Sequence, residues 1–302
     1  MSAAIHPFQI RDYRLFWIAR FAAVAATMAM VVVLAAQTYL IARREYGMAK
    51  DEAAFLIGLL GLAQFLPLLL LTPVAGWAAD RFDRRRLAAL ANLLDLVVCV
   101  VLALANLAGI LTLPLLFAMA AAHGAARVFV GPAMSSIVAN VVPAEVLPRA
   151  VAFNSIAWQS ASVIGPAVGG FLLARSGDAP YWFGVVLLAL ASVAVIAIRP
   201  FAKPPQSNAH PLRQMADGAR YVWHERFLLG CISLDLFAVL LGGATAMLPA
   251  FAYDVLHVGD EGLGLMRAAP AAGAALVAVW LGIRPLHHNV GVKMLWSVVA
   301  FG

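Results

Sequence analysis

The stretch Gly76-Trp77-Ala78-Ala79-Asp80-Arg81-Phe82-Asp83-Arg84-Arg85-Arg86 decides how this chain is arranged. Upstream of it, Ala53 to Ala79 contains no charged residue, and a second apolar run begins at Leu87. Crossing a hydrocarbon core takes about 20 mostly apolar residues. A short, strongly charged turn between two such runs therefore reads as a hairpin at a membrane surface.

Working outward, eight runs of this kind are found: Leu15–Ile41, Ala53–Ala79, Leu87–Ile110, Leu113–Val142, Ala150–Ala174, Tyr181–Ile198, Phe227–Tyr253 and Leu263–Ile283. A ninth opens at Val292 and stops at Gly302, so a chain cut in mid-helix is expected. Hydrophobic residues make up 64% of the chain and charged ones 12%, with a mean hydropathy of +0.90. That balance excludes an ordinary soluble domain and predicts an all-α, polytopic membrane protein.

The net charge of +6 orients the chain and does not point to nucleic acid. With the N-terminus inside, Arg11, Arg14, Arg20, Arg81, Arg84, Arg85, Arg86, Arg149, Arg199, Lys203, Arg213, Arg220, Arg226, Arg284 and Lys293 fall on the cytoplasmic side. Arg43, Arg44, Lys50 and Arg175 fall outside, and Arg127 and Arg267 within spans. Fifteen against four obeys the positive-inside rule, which predicts a cytoplasmic N-terminus. Leu15–Ile41 is too long for the apolar region of a cleavable signal. Cys99 and Cys231 both lie in predicted spans and read as small apolar residues; no metal cluster, cofactor or disulfide framework is expected.

Three segments follow. Residues 1–198 form six spans joined by short loops, and residues 199–226 a breaker-rich linker. Within the linker, Leu212, Met215, Ala219, Tyr221 and Val222 alternate with charged residues, as in an amphipathic surface helix. Residues 227–302 begin a new set of spans. Paired half-domains with a substrate site between them are a common plan of secondary transporters.

The residues carry a more specific likeness. Gly76-x-x-x-Asp80-Arg81-x-x-Arg84-Arg85 resembles the loop signature of the major facilitator superfamily. Pro132-Ala133, Val142-Pro143, Leu147-Pro148-Arg149-Ala150, Asn154-Ser155 and Gly165-Pro166-x-x-Gly169-Gly170 resemble helices four and five of its enterobactin and macrolide exporter group. Leu234-Asp235-Leu236-Phe237, Leu248-Pro249-x-Phe251-Ala252 and Gly262-x-Gly264 resemble helices seven and eight. Asp83 departs from the superfamily's usual glycine, and the chain supplies eight spans and part of a ninth where such proteins have twelve.

The resemblance implies a transporter, not an enzyme: a monomer that exports a small, partly hydrophobic molecule, such as a siderophore or drug, by proton antiport. An uptake facilitator for a metabolite, or an inactive fragment, is the alternative. It implies a cytoplasmic gate at Gly76, Asp80, Arg81, Arg84 and Arg85, whose catch belongs to a later helix, and an exporter element at Gly165, Pro166, Gly169 and Gly170. Helices one, four and seven should line the cavity.

Read from the residues, Gly76 permits close helix approach, and Gly165 and Gly169 form a small-residue packing face. Ionisable residues inside a span must face protein or water. Arg127, nearly central in its span, and Asp235 are the candidates for the cavity and for proton coupling, with His123 one turn before Arg127. Asp95 reads as structural, near helix two and the charged loop, and Arg267 as snorkelling to the periplasmic interface. Phe16, Trp17, Trp182, Phe183, Trp223 and Trp296 suit an interfacial belt.

Overall fold

Glycine, proline and short polar caps set where the helices stop. α1 (Arg11–Arg44) ends in a turn at Gly47, and α3 (Arg84–Leu107) in one at Gly109. Both glycines take positive φ, +63° and +67°, a conformation that costs glycine nothing. The chain reverses there with Met48 N–H donating to Ala42 O at 3.0 Å and Ile110 N–H to Ala105 O at 2.9 Å, which satisfies the last carbonyls of each helix. α2 (Lys50–Arg81) begins with the Ala49 N–H donating to Glu52 Oε2 at 2.8 Å. α4 (Leu113–Val141), α5 (Leu147–Arg175) and α6 (Ala179–Ile196) each carry a proline in their first turn, where its missing N–H costs nothing.

The computed structural model describes residues 6–200, 220–241, 247–283 and 290–301, and among these every regular element is helical. α1 to α6 are all long and apolar enough to cross a membrane. They match the first six predicted spans, each helix boundary lying within about one turn of the expected one. α7 (Arg226–Leu241) covers the first part of the seventh. A short turn at Leu248–Ala250 runs into a π-helical turn at Phe251–Val255, followed by α8 (Gly259–Ile283) and α9 (Val290–Phe301). Residues 201–219 of the predicted linker, with the first part of its amphipathic helix, lie outside the described residues.

Neighbours in sequence are not always neighbours in space. α1 packs chiefly on α5 and α6, α2 on α4, α3 on α4 and α6, and α5 also on α8. Lipid tails are as apolar as leucine, so helix association in a membrane rests on close packing and hydrogen bonds. α1 supplies the close packing: Ala19, Ala22, Ala23, Ala25, Ala26 and Ala29 are all buried. At one end it is tied to α5 by Tyr13 Oη donating to Ala150 O at 2.8 Å and by Trp17 Nε1 donating to Phe153 O at 3.0 Å. The rings of Phe8, Tyr13, Trp17 and Phe153 cluster around those bonds. Phe16 is fully buried in this core, not in an interfacial belt, because it faces α4 and α5 across the bundle. Trp182, Trp223 and Trp296 are exposed, as a belt requires.

The outside is oily. Phe55, Leu62, Leu69 and Leu70 on α2, Leu90, Leu104 and Leu107 on α3, and Val186 and Val193 on α6 are all more than half exposed. A soluble surface does not carry so much contiguous hydrocarbon; a bilayer-facing one must.

Candidate functional site

A cavity of about 370 Å³ opens between the first helices and the segment after α7. Val31, Val32 and Ala35 of α1, Ile57 to Leu68 of α2 and Arg127 of α4 form one wall. Leu248, Pro249, Leu263 and Arg267 form the other. The lining is apolar apart from Gln64 and the two guanidinium groups. α4 reaches the α2 wall because Gly124 has no side chain: a Cβ there would stand 2.2 Å from Gln64 O. Arg127 and Arg267 are close enough to repel one another. Arg267 therefore does not snorkel to an interface, as expected from its place near a span end; it turns inward to water-accessible space, which a buried guanidinium needs.

Behind Arg127, one turn back along α4, His123 is fully buried and its Nδ1 lies 2.6 Å from Asp95 Oδ1 on α3. His123 does not line the cavity. Asp95 lies eleven residues beyond Arg84, about 16 Å along the helix, so it does not belong to the charged α2–α3 loop. It is 3% exposed and interacts electrostatically with Arg127. The sequence shows three separate ionisable residues where the structure brings them into one buried group.

The α2–α3 loop is locked from within. Asp83 caps α3 by accepting from Arg85 N–H at 3.0 Å. Its carboxylate also grips the Arg85 guanidinium, from Nε at 3.1 Å and from Nη2 at 2.5 Å. Arg85 Nη1 donates to Ile198 O just past α6, and the residue is buried. Burial pushes the Asp83 carboxyl up, but the Arg85 bonds and charge outweigh it and hold it below its ordinary value. Arg84 Nε donates to Ala79 O at 3.4 Å, and Arg81 stacks over Trp77 at 5.1 Å. Gly76 does not sit in a tight crossing: a Cβ there meets nothing within 4 Å among the described residues. The side chains of Asp80 and Asp235 lie outside the described residues.

The α5 glycines divide their work between two neighbours. A Cβ on Gly165 would stand 2.5 Å from Ala25 O, and one on Gly169 3.0 Å from Ala29 Cβ, both on α1. A Cβ on Gly170 would stand 2.5 Å from Asp260 O and 2.7 Å from Gly264 Cα, on α8. Pro166 is buried beside them, with its carbonyl 2.7 Å from where a Gly264 Cβ would be. At the same end, Tyr39 of α1 hydrogen-bonds Asp254, and Lys50 Nζ lies 3.2 Å from the same carboxylate. Tyr39 and Tyr253 stack with centroids 5.7 Å apart, and Tyr253 donates to Asp260. Together these contacts close the cavity's α1–α2 end.

The family model described as Major Facilitator Superfamily matches residues 16–302. The chain belongs to the major facilitator superfamily. It is 29% identical over 266 residues to the multidrug efflux pump Tap of Mycobacterium tuberculosis, covering 84% of this chain and 63% of the pump. It is 25% identical over 296 residues to the enterobactin exporter EntS of Citrobacter koseri, covering 95% of this chain and 67% of the exporter. The chain thus spans about two thirds of the length of these relatives. Among solved structures, a bacterial homologue of the lysosomal transporter Spinster, inward-facing and unoccupied, shares the fold. Its TM-score is 0.65 at 17% identity, over 88% of this chain and 60% of that one. A D-xylose–proton symporter matches with a TM-score of 0.58 at 15% identity, over 93% and 70%.

Within this superfamily member, the residues missed from sequence are those whose partners are far along the chain. Tyr39 and Asp254 are separated by 215 positions, and Gly124 meets α2 only through backbone. Asp95 and His123, 28 positions apart, read from the sequence as unrelated, because nothing in it shows that α3 and α4 turn these side chains toward each other.

Proposed function

We propose that the chain exports a small, partly hydrophobic molecule across a membrane by proton antiport and alternating access. In this reading residues 1–198 and 227–302 belong to two half-domains joined by the 199–226 linker, in a bacterial plasma membrane with a cytoplasmic N-terminus. The observation that carries it is the apolar cavity between α1, α2 and α4 on one side and residues 248–267 on the other, shut at its α1–α2 end by Tyr39 and Asp254. Its shape and lining suit an amphiphilic organic molecule held by one or two polar contacts. The efflux relatives support the export direction.

Gly76, Asp80, Arg81, Arg84 and Arg85 serve the opposite gate; Pro166 and Gly170 serve the crossing between halves, and Gly165 and Gly169 the α1–α5 packing beside it. Asp235, Arg127 and His123 serve coupling. The protein works as a monomer. Inverted membrane vesicles containing the chain, energised to be acid inside, should accumulate a fluorescent lipophilic dye or enterobactin. Asp235→Asn should abolish the proton-driven component while leaving membrane insertion intact, and unchanged uptake in that variant would remove Asp235 from the mechanism. Movement in the opposite direction would instead identify an uptake facilitator.

A further inference from the structure

Asp95 and His123 are the most deeply buried titratable pair among the described residues, at 3% and 0% exposure, and their side chains meet at 2.6 Å. The other ring nitrogen, His123 Nε2, has no hydrogen-bond partner among those residues. No ion pair needs to be so dry for architecture alone, since α3 and α4 already pack on one another and Val98, Leu116 and Ala120 share one buried apolar cluster. What faces the pair is limited. On α4 it is Arg127; on α3, one turn along, Cys99; on α6, Tyr181, which touches the Cys99 field; across the cavity, Arg267. α2 brings no charge between Ala53 and Ala79, and presents Gln64 instead.

The charge balance of this group has two states. With one proton shared by the pair, Asp95 and His123 are together neutral, and Arg127 leaves a net +1. With that proton gone the pair is −1, and Arg127 is its nearby counter-charge. A lone carboxylate in such a site is strongly disfavoured, so the deprotonated state depends on Arg127. Arg127 also forms part of the cavity wall.

We propose that Asp95 and His123 together form a proton-holding site whose charge state is transmitted to the cavity by Arg127. A cation entering the cavity favours the deprotonated pair, and a proton arriving at the pair makes the wall more positive and expels the cation. Linkage makes the two effects equal. This is the exchange an antiporter requires, so the inference rests on the transport reading above, but the proton site itself is testable without transport. It adds a station for the proton in the first half, independent of Asp235.

The test uses the full chain in lipid nanodiscs with ring-¹⁵N histidine, observed by NMR, with the His123 signal identified by its loss in His123→Gln. Protons on a coupled pair come off with midpoints that belong to the pair, so the His123 shifts follow the titration wherever the proton sits. In Arg127→Gln the midpoint should rise by about one pH unit or more, a tenfold or larger gain in proton affinity. In Asp95→Asn the buried imidazole loses its counter-charge, so the midpoint should fall. Should Asp95→Asn fail to fold, Arg127→Gln decides alone, because it leaves the pair intact. A flat His123 signal, or a midpoint unmoved by Arg127→Gln, would overturn the proposal. Proton-driven transport that persists in Asp95→Asn would overturn it too, while leaving the transport reading standing. A coupled titration in a chain that moves no substrate would do the reverse.

Discussion

Gly170→Ala adds a single methyl group at the place where α5 and α8 touch. That carbon would stand 2.5 Å from Asp260 O, 2.7 Å from Gly264 Cα and 2.9 Å from Gly264 N. All three atoms are backbone, so no rotamer change can relieve the clash. Ordinary carbon contacts sit at about 3.5–4.0 Å, so the two helices must separate by roughly 1 Å. Overpacking of this kind costs about 1–3 kcal/mol. The cost falls only on the conformation in which α5 and α8 meet here. A differential of about 1–3 kcal/mol corresponds to a shift of about 5- to 150-fold toward conformations with this end open. Spin labels at Tyr46 and Val258, both exposed at that end, report the change by electron–electron distance measurement. The ratio of long- to short-distance populations should grow at least about fivefold, the lower bound of that range. Gly131→Ala, where an added Cβ meets nothing within 4 Å among the described residues, is the control and should leave the distances unchanged. If Gly170→Ala and Gly131→Ala gave the same distribution, the argument from backbone contact would be refuted.

Asp83→Ala removes both a helix cap and the Arg85 grip, and should lower unfolding stability in detergent by about 1–3 kcal/mol, with Asp83→Asn recovering the cap and part of that loss. Because the folded Asp83 carboxyl lies below its ordinary value, its contribution is present above about pH 4 and fades as pH falls through the depressed value. Asp254→Asn should loosen the α1–α2 end, read as faster labelling of a cysteine placed at Tyr253. Burial raises the Asp254 carboxyl, but bonds from Tyr39 and Lys50 and the charges of Lys50 and Arg43 bring it below its usual value. Acidification below about pH 4 should therefore mimic the substitution. Lys50 is well exposed and should account for less than about 1 kcal/mol of this closure. Tyr13→Phe leaves Ala150 O without its donor and should cost about 1 kcal/mol in thermal unfolding, with the helices otherwise unchanged.

The helices were legible because a span announces itself by length: α1 to α6 follow the apolar runs within about one turn at each end. The charged loop was legible as a turn, but not as a lock. Asp83 looked like a departure from the superfamily's glycine, and only the fold shows it gripping Arg85, which in turn reaches Ile198 more than a hundred positions away. Glycine was half legible. Spacing marks Gly165 and Gly169 as a packing face, yet nothing in the sequence says that Gly170 serves a different helix, or that a Cβ at Gly76 would meet nothing among the described residues. For the ionisable residues, hydropathy gave depth but not azimuth. Arg267, Asp95 and His123 were placed along the bilayer normal, whereas their roles depend on which way each helix turns its face, and that is set by packing.

The α5–α8 contact also fixes a lever. Gly170 lies five residues from the Arg175 end of α5 and 23 residues from the Leu147 end, about 8 Å and 35 Å at the helical rise. Two backbones already in contact cannot approach further, but they can tilt about the point where they touch. A tilt that shifts the short arm by about 1 Å carries the long arm through about 4–5 Å. A barely perceptible loosening where Tyr39 and Asp254 meet thus becomes, at the far mouth, a movement about the width of a methylene chain.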